Sequence, residues 1–234
     1  MTEDDDVWIY SMGESIQNRD VHKLKMMYAS HVIHDMDDYG DDDVGDSKQI
    51  VATSNQLLIL TERGLVFGAG LNSNGEIGTG NANAIFDPVQ INGILPSHPS
   101  KNNFFNHTPI ELISCGNNFS AFLTTTGLLY TCGDGRYGRL GLGKDRINTI
   151  NSTPAIVKFK AVKKKNVIPT FGKSPKKKKK NGHDENVDVK RVIFISCGSN
   201  HVSAICELDE SNSKSSSDTN QLYTWGNGIN GQLG

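Results

Sequence analysis

The chain has 234 residues, enough for one large domain or two small ones, and its 36% hydrophobic against 21% charged residues can bury a core. The net charge of -2 names no partner, because two opposed fields nearly cancel: residues 1–50 hold 13 of the 26 acidic residues and residues 158–191 hold 13 of the 24 basic ones. The acidic start "MTEDDDVWIY" excludes a secretory signal, "LLIL" at 57–60 is too short for a membrane span, and Cys115, Cys132, Cys197 and Cys206 form no CxxC pair, so reduced thiols in cytosol or nucleus are the default.

The first 49 residues read as an acidic segment with candidate strands. "IYSMG" at 9–13 could be the last strand of a blade, although no glycine-rich tail follows it. Over 20–33, Val21, Leu24, Tyr28 and Val32 share a helical face, yet Val21 and Leu24 also suit a strand. "DMDDYGDDDVGD" at 35–46 has the glycine and several of the carboxylates of a calcium loop. Tyr39 stands at a ligand position and Asp46 replaces the bidentate Glu, so a solvated acidic loop is the expectation.

From residue 50 the sequence repeats. "IVATSN", "ISCGNN" and "ISCGSN" each lead into an apolar strand ("LLILT", "SAFLT", "VSAIC"), a polar turn, and a second strand ("LVFGAG", "LLYTCG", "LYTWG"). This is a hairpin in every unit. Each hairpin runs into a tail with glycines at intervals of five, three and two residues, as far as the last one runs: Gly70, Gly75, Gly78 and Gly80, then Gly133, Gly138, Gly141 and Gly143, then Gly226, Gly231 and Gly234. "DPVQI" (87–91) and "TPAIV" (153–157) follow the first two tails as short strands entered through a proline. The repeats run over about 50–80, 81–143 and 144–234.

"GDGRYG" (133–138) and "GNGING" (226–231) both fit GxGxxG. A dinucleotide loop must open a helix, and "KDRINTINSTP" after Gly143 shows no amphipathic helix. Two matches at one repeat position mark a structural device: glycine at a chain reversal that needs positive φ. Four short strands per unit cannot bury both faces alone, and radial stacking of such sheets supplies the missing partners. The fold class is therefore all-β, an incomplete β-propeller built of four-stranded blades.

"ISCGSNHVSAIC…LYTWGNGINGQLG" resembles a repeat of the regulator of chromosome condensation family. The third unit fits best, with His201, Tyr223, Trp225 and Gly226. The second keeps Cys115, Gly116 and Tyr130 but has Cys132 for the Trp. The first has Thr53 for the glycine and Ala69 for the Trp. The resemblance implies a propeller, usually of seven blades. Three units do not close such a ring, so the chain is expected to be a piece of a longer protein.

Two insertions interrupt the pattern. Residues 159–190 are Lys-rich and read as a disordered loop; Lys176, Lys177, Lys178, Lys179 and Lys180 form a candidate nuclear import signal, with a low-complexity insert and a DNA-phosphate contact as alternatives. Ser174, before Pro175 and beside lysines, is a candidate phosphosite whose modification would reduce that positive charge. Residues 211–220, rich in serine, lengthen a hairpin loop. His201 between Ser199 and Ser203 is expected to tie strands by hydrogen bonds rather than to form a catalytic dyad, and Cys115 and Cys197 to pack as small buried groups.

No catalytic or metal constellation appears, and no cofactor is expected. The reading is a non-catalytic protein-interaction scaffold, nuclear or cytoplasmic, with a protein partner and neither a membrane nor a small-molecule substrate. The resemblance implies an alternative, a guanine-nucleotide exchange factor for a Ran-class small GTPase on chromatin. A third reading is the regulatory propeller of a larger ubiquitin ligase or kinase.

Overall fold

The computed structural model describes residues 47–91, 105, 108–159, 162–163, 186–187, 189–208 and 220–233. The 9–13 strand, the 20–33 segment, the acidic 35–46 loop, Ser174, Lys176 to Lys180 and Gly234 lie outside the described residues.

Three antiparallel sheets follow one another along the chain. The first is β1 (Ser47–Ala52), β2 (Gln56–Thr61), β3 (Val66–Gly70) and β4 (Ile85–Gln90), paired in sequence order. The second repeats this order with β5 (Ile110–Gly116), β6 (Phe119–Thr124), β7 (Leu129–Asp134) and β8 (Ile150–Ile156). After a two-residue pairing of β9 (Val162–Lys163) with β10 (Asn186–Val187), the third sheet contains β11 (Val189–Cys197), β12 (His201–Leu208) and β13 (Asn220–Gly226).

The repeat bounds 81–143 and 144–234 group each proline-bearing strand with the hairpin that follows it, and the sheets group it with the hairpin before. β4 joins β3 and β8 joins β7, so each closes the sheet before it, and the third sheet has three strands among the described residues instead of four. Nor does proline start these strands. Pro88 and Pro154 lie inside β4 and β8, where the register with β3 and β7 slips between Gly68 and Gly70 and between Thr131 and Gly133. A proline has no N–H for the ladder, and an irregular edge strand is where that deficit is tolerated.

The Lys-rich insertion is also narrower than 159–190. Phe159 packs edge-to-face against Tyr223 (centroids 5.1 Å apart), β9 pairs with β10, and Val189 already belongs to β11. Phe159 at one end and Val189 at the other pack against the core between the second and third blades, which the lysines cannot do.

The hydrophobic cores lie between sheets. Leu58, Leu60, Val66, Ile77 and Ile91 of the first blade pack against Ile110, Ile113, Phe122, Tyr130 and Cys132 of the second. Phe105 seals this core, its ring edge-on to Phe122 (5.3 Å) and Tyr130 (5.1 Å). Ala121, Leu123, Leu129 and Val157 of the second blade meet Val192, Ile195, Ala204 and Cys206 of the third. Covered on both sides, β6 and β7 are buried at every position, whereas β12 alternates buried and half-buried residues. Burial of a large apolar side chain contributes roughly 1.5–3 kcal/mol, so most of the stabilisation depends on blades touching.

The first strands β1, β5 and β11 are neighbours. The Gln49 side chain donates to the Ile113 carbonyl (2.9 Å) and accepts from the Ile113 N–H (3.0 Å). The Cys197 N–H donates to Ser114 Oγ (2.9 Å). At the far end of each hairpin the turn carbonyl receives the next blade's entering strand: Ile110 N–H to Gly64 O (3.0 Å) and Val192 N–H to Gly127 O (2.9 Å).

One glycine position recurs three times with one geometry. Gly70, Gly133 and Gly226 stand at the ends of β3 and β13 and one residue before the end of β7, with φ of 134°, 109° and 112° in chain order. A Cβ at each would collide with the carbonyl oxygen of Asn55, Asn118 or Asn200. Those carbonyls accept the next N–H along: Leu71 (2.8 Å), Asp134 (2.8 Å) and Asn227 (2.9 Å). The chain can leave the hairpin at this point only without a side chain. Gly133→Ala is expected to destabilise the protein by about 1–3 kcal/mol in denaturant melts, through strain and collision together.

Candidate interaction face

The tails begin at one end of the blades, beside the turns at residues 53–55, 117–118 and 198–200. The tail glycines that recur at the repeat spacing have positive φ wherever they are described: Gly70, Gly75 (70°), Gly78 (88°), Gly80 (89°), Gly133, Gly138 (70°), Gly141 (67°), Gly143 (92°), Gly226 and Gly231 (79°); Gly135, off that spacing, has φ of -88°.

The tails are fastened in two ways, and the second tail shows both. In the second and third tails the tail's own blade holds it through a threonine of β7 or β13: Thr131 Oγ1 donates to the Leu140 carbonyl (2.6 Å) and Thr224 Oγ1 to the Leu233 carbonyl (2.8 Å). In the first and second tails the following blade holds the carbonyl one residue after the second tail glycine. Glu76 O accepts from Ser120 Oγ (2.6 Å) and Cys132 Sγ (3.4 Å), and Arg139 O accepts from Trp225 Nε1 (3.0 Å). Cys132 and Trp225 occupy one repeat position, so the Trp-to-Cys change keeps a donor there. Close packing accompanies these bonds: Gly75 lies against Ser152, whose carbonyl accepts the Gly80 N–H (2.9 Å), and a Cβ at Gly141 would stand 2.8 Å from Trp225 Nε1.

The residue after that second glycine differs between tails. Gln232 accepts the Asn230 N–H through Oε1 (2.9 Å), and Glu76 accepts the Asn74 N–H through Oε2 (2.7 Å). Glu76 is fully buried and its Oε1 has no partner among the described residues. Arg139 offers no acceptor, and the corresponding Tyr137 N–H bonds instead to Asn148 Oδ1 (3.2 Å). This draws residues 144–149 against the second tail: Gly135 N–H donates to Thr149 O (2.8 Å) and Asn148 N–H to Gly135 O (3.0 Å).

In the second tail Asp134 anchors two arginines. Its carboxylate accepts from the Arg136 N–H (2.9 Å) and Nε (2.7 Å) and lies 3.5 Å from Arg139 Nη1. Burial pushes the Asp134 carboxyl up, but the Arg136 hydrogen bonds and the Arg139 charge outweigh it and hold the group below the usual carboxylate value. Its stabilisation is therefore present above that value and fades as pH falls through the lowered one. Arg139 is buried, donates to Asn117 O (2.9 Å), and lies over the rings of Phe119 (5.9 Å) and Tyr137 (5.7 Å).

His201 and Phe119 share a role. A Cβ at Gly198 would strike the His201 ring, and one at Gly116 the Phe119 ring. The structure gives His201 this packing role where a strand-tying hydrogen bond was expected. The first unit makes the paired exchange: Gln56 replaces the ring and Thr53 replaces the glycine beneath it. Gln56 Nε2 donates to Gly116 O (3.3 Å) and Phe119 O (2.9 Å).

The thiols are poor nucleophiles. Burial pushes Cys115 up to about 11 and Cys197 and Cys206 up to about 12, and raises Cys132 as well. Among the described residues no group of three His, Cys, Asp or Glu side chains could hold a metal, and no helix is long and apolar enough to cross a membrane.

Blade-like antiparallel sheets, locked by glycine-rich tails that reach from each sheet to the next, define a repeat protein of the propeller class. The chain belongs to the regulator of chromosome condensation (RCC1) repeat family: the family model matches residues 63–123 and 126–205, and a second model of this repeat matches 110–139. It is 36% identical over 97 residues (42% of this chain, 9% of the relative) to the X-linked retinitis pigmentosa GTPase regulator of Mus musculus. It is 29% identical over 181 residues (77% of this chain, 29% of the relative) to Protein RCC2 of Homo sapiens. Over 125 residues it is 33% identical to the E3 ubiquitin-protein ligase HERC2 of Homo sapiens, covering 53% of this chain and 2% of that protein. The chain thus spans less than a third of each of these relatives. The crystal structure of Kap60 bound to yeast RCC1 (Prp20) superposes with a TM-score of 0.45 at 19% identity, over 78% of this chain and 32% of that one.

Glu76→Gln preserves the bond to the Asn74 N–H, as Gln232 does in the third tail, and replaces a buried carboxylate that has an unpaired oxygen by a neutral amide. The substitution is expected to stabilise the protein by about 1–3 kcal/mol in chemical denaturation.

Proposed function

We propose that the chain is a non-catalytic protein-interaction scaffold whose tail face receives a protein partner. One observation carries the reading: exposed loop tips at Leu71, Arg136, Tyr137 and Ile229 stand on tails that hydrogen bonds and glycine contacts hold in place. Such presentation of variable side chains on a rigid frame suits recognition. The raised thiols offer no activated nucleophile, which supports a role without covalent chemistry. The lysine run at 176–180 supports a nuclear or cytoplasmic setting, and import through that run is part of the proposal.

A second reading is nucleotide exchange on a Ran-class small GTPase, favoured by the similarity to a protein named as a GTPase regulator. Exchange requires differential binding of the nucleotide-free GTPase and no catalytic residue. The similarity to a ubiquitin ligase supports a third, a regulatory part within a larger enzyme.

Two assays on the purified chain separate these readings. Affinity purification from cells should retain a protein partner that a Leu71→Asp, Ile229→Asp variant loses, and GDP release from a purified Ran-class GTPase should be unchanged. Accelerated release would replace the scaffold with the exchange factor, and a chain that retains no partner would end the scaffold reading.

A further inference from the structure

The charges on the tail face are concentrated in one place. Its exposed described residues on the first and third blades, such as Ser73, Asn81, Asn83, Ser199 and Asn230, carry no charge. The exposed charges are Arg136, Lys144 and Arg146 against Asp145, all on the second tail and the loop that follows it. The Lys144 and Arg146 side chains have no ion-pair partner among the described residues, and Arg136 is tied to Asp134 with Nη2 2.6 Å from the carboxylate.

Apolar surface accompanies the charge. Tyr137 is 59% exposed and Ile147 45% exposed, and Ile147 lies beside Gly138. Tyr137 holds φ of 59°, a left-handed conformation that bulky residues rarely adopt and that works against stability. The ring is thereby turned out of the tail and is sustained by the Asn148 bond and by Arg139. This arrangement exists because Arg139 stands where Glu76 and Gln232 accept their own turn N–H. The exchange of acceptor for cation recruits residues 144–149, and with them Lys144, Arg146 and Ile147.

Resting on the scaffold reading, we propose that this second-blade tip, formed by Arg136, Tyr137, Lys144, Arg146 and Ile147, is the recognition site for an acidic protein segment that carries an apolar side chain. Carboxylates of the segment meet Lys144, Arg146 and the outer edge of Arg136, and its apolar side chain lies on Tyr137 and Ile147. Tyrosine and arginine together are the composition that dominates binding energy at protein interfaces. A nucleic acid fits less well, because Asp145 and the Asp134–Arg136 pair leave few free cations for a row of phosphates.

The test is a fluorescence titration of the full chain with a short labelled peptide of Asp, Glu, Leu and Phe. A peptide with Lys in place of the acids and single-stranded oligo-dT serve as comparisons. Expected are binding of the acidic peptide that weakens with salt, and a loss of at least about tenfold in both Lys144→Glu/Arg146→Glu and Tyr137→Asn. Asn tolerates the left-handed conformation, so Tyr137→Asn should melt no earlier than the parent chain. No binding by the parent chain, equal binding by the variants, or preference for oligo-dT would overturn the proposal. The same variants applied to the cellular partner separate the two readings: a partner that still binds them leaves the scaffold standing and removes it from this tip.

Discussion

The structure depends on one carbonyl in each of the first two tails. Glu76 O and Arg139 O end stretches of backbone that have left their own sheets, and each accepts a hydrogen bond from a donor on the next blade. Without that capture the tail would expose unpaired backbone and the apolar Ile77 or Leu140, both now buried between blades. The glycines follow from this demand. A tail pressed against Ser152 or Trp225 has no room for side chains at Gly75 or Gly141. An unpaired buried backbone group costs more than a formed bond contributes, so tail and neighbour are expected to be gained or lost together.

The same constraint explains how repeats can diverge. Cys132 replaces the Trp and still donates to a tail carbonyl. Thr53 replaces a glycine where Gln56 has removed the ring that required it. Gly68 stands where the other blades use Thr131 and Thr224, and a Cβ there would press on Ile77. Arg139 breaks the local pattern most, and the consequence is the largest: a strained Tyr137, a second loop drawn to the tail, and a charged, partly apolar surface on an otherwise neutral face. The departure from the repeat, rather than the repeat itself, carries the functional proposal.

Much of the fold was legible in the sequence. Glycine spacing and hairpin alternation gave the unit, and a structural reading of GxGxxG follows from its recurrence. The phase of the sheets was not legible. "DPVQI" and "TPAIV" are equally close in sequence to the tail before and the hairpin after, and only hydrogen bonding across the β3–β4 and β7–β8 edges assigns them. Phe159 was read with the lysines that follow it, because its partners Tyr223 and Trp225 are distant in the chain. The candidate site was less legible still. Lys144 and Arg146 read as ordinary loop charges until Asn148 brings them to Tyr137, although Arg in place of Gln or Glu at residue 139 was a signal that could have found them.

Native-state hydrogen exchange tests the central claim most directly. The inter-blade amides are Gly80 to Ser152, Ile110 to Gly64, Asn117 to Ser199 and Val192 to Gly127. If tails and blades form one cooperative unit, these amides exchange with the same free energy as those of β6, and Gly133→Ala lowers all of them together. Exchange of the inter-blade amides through smaller openings, while β6 stays protected, would show blades that are stable without their tails and would contradict the account.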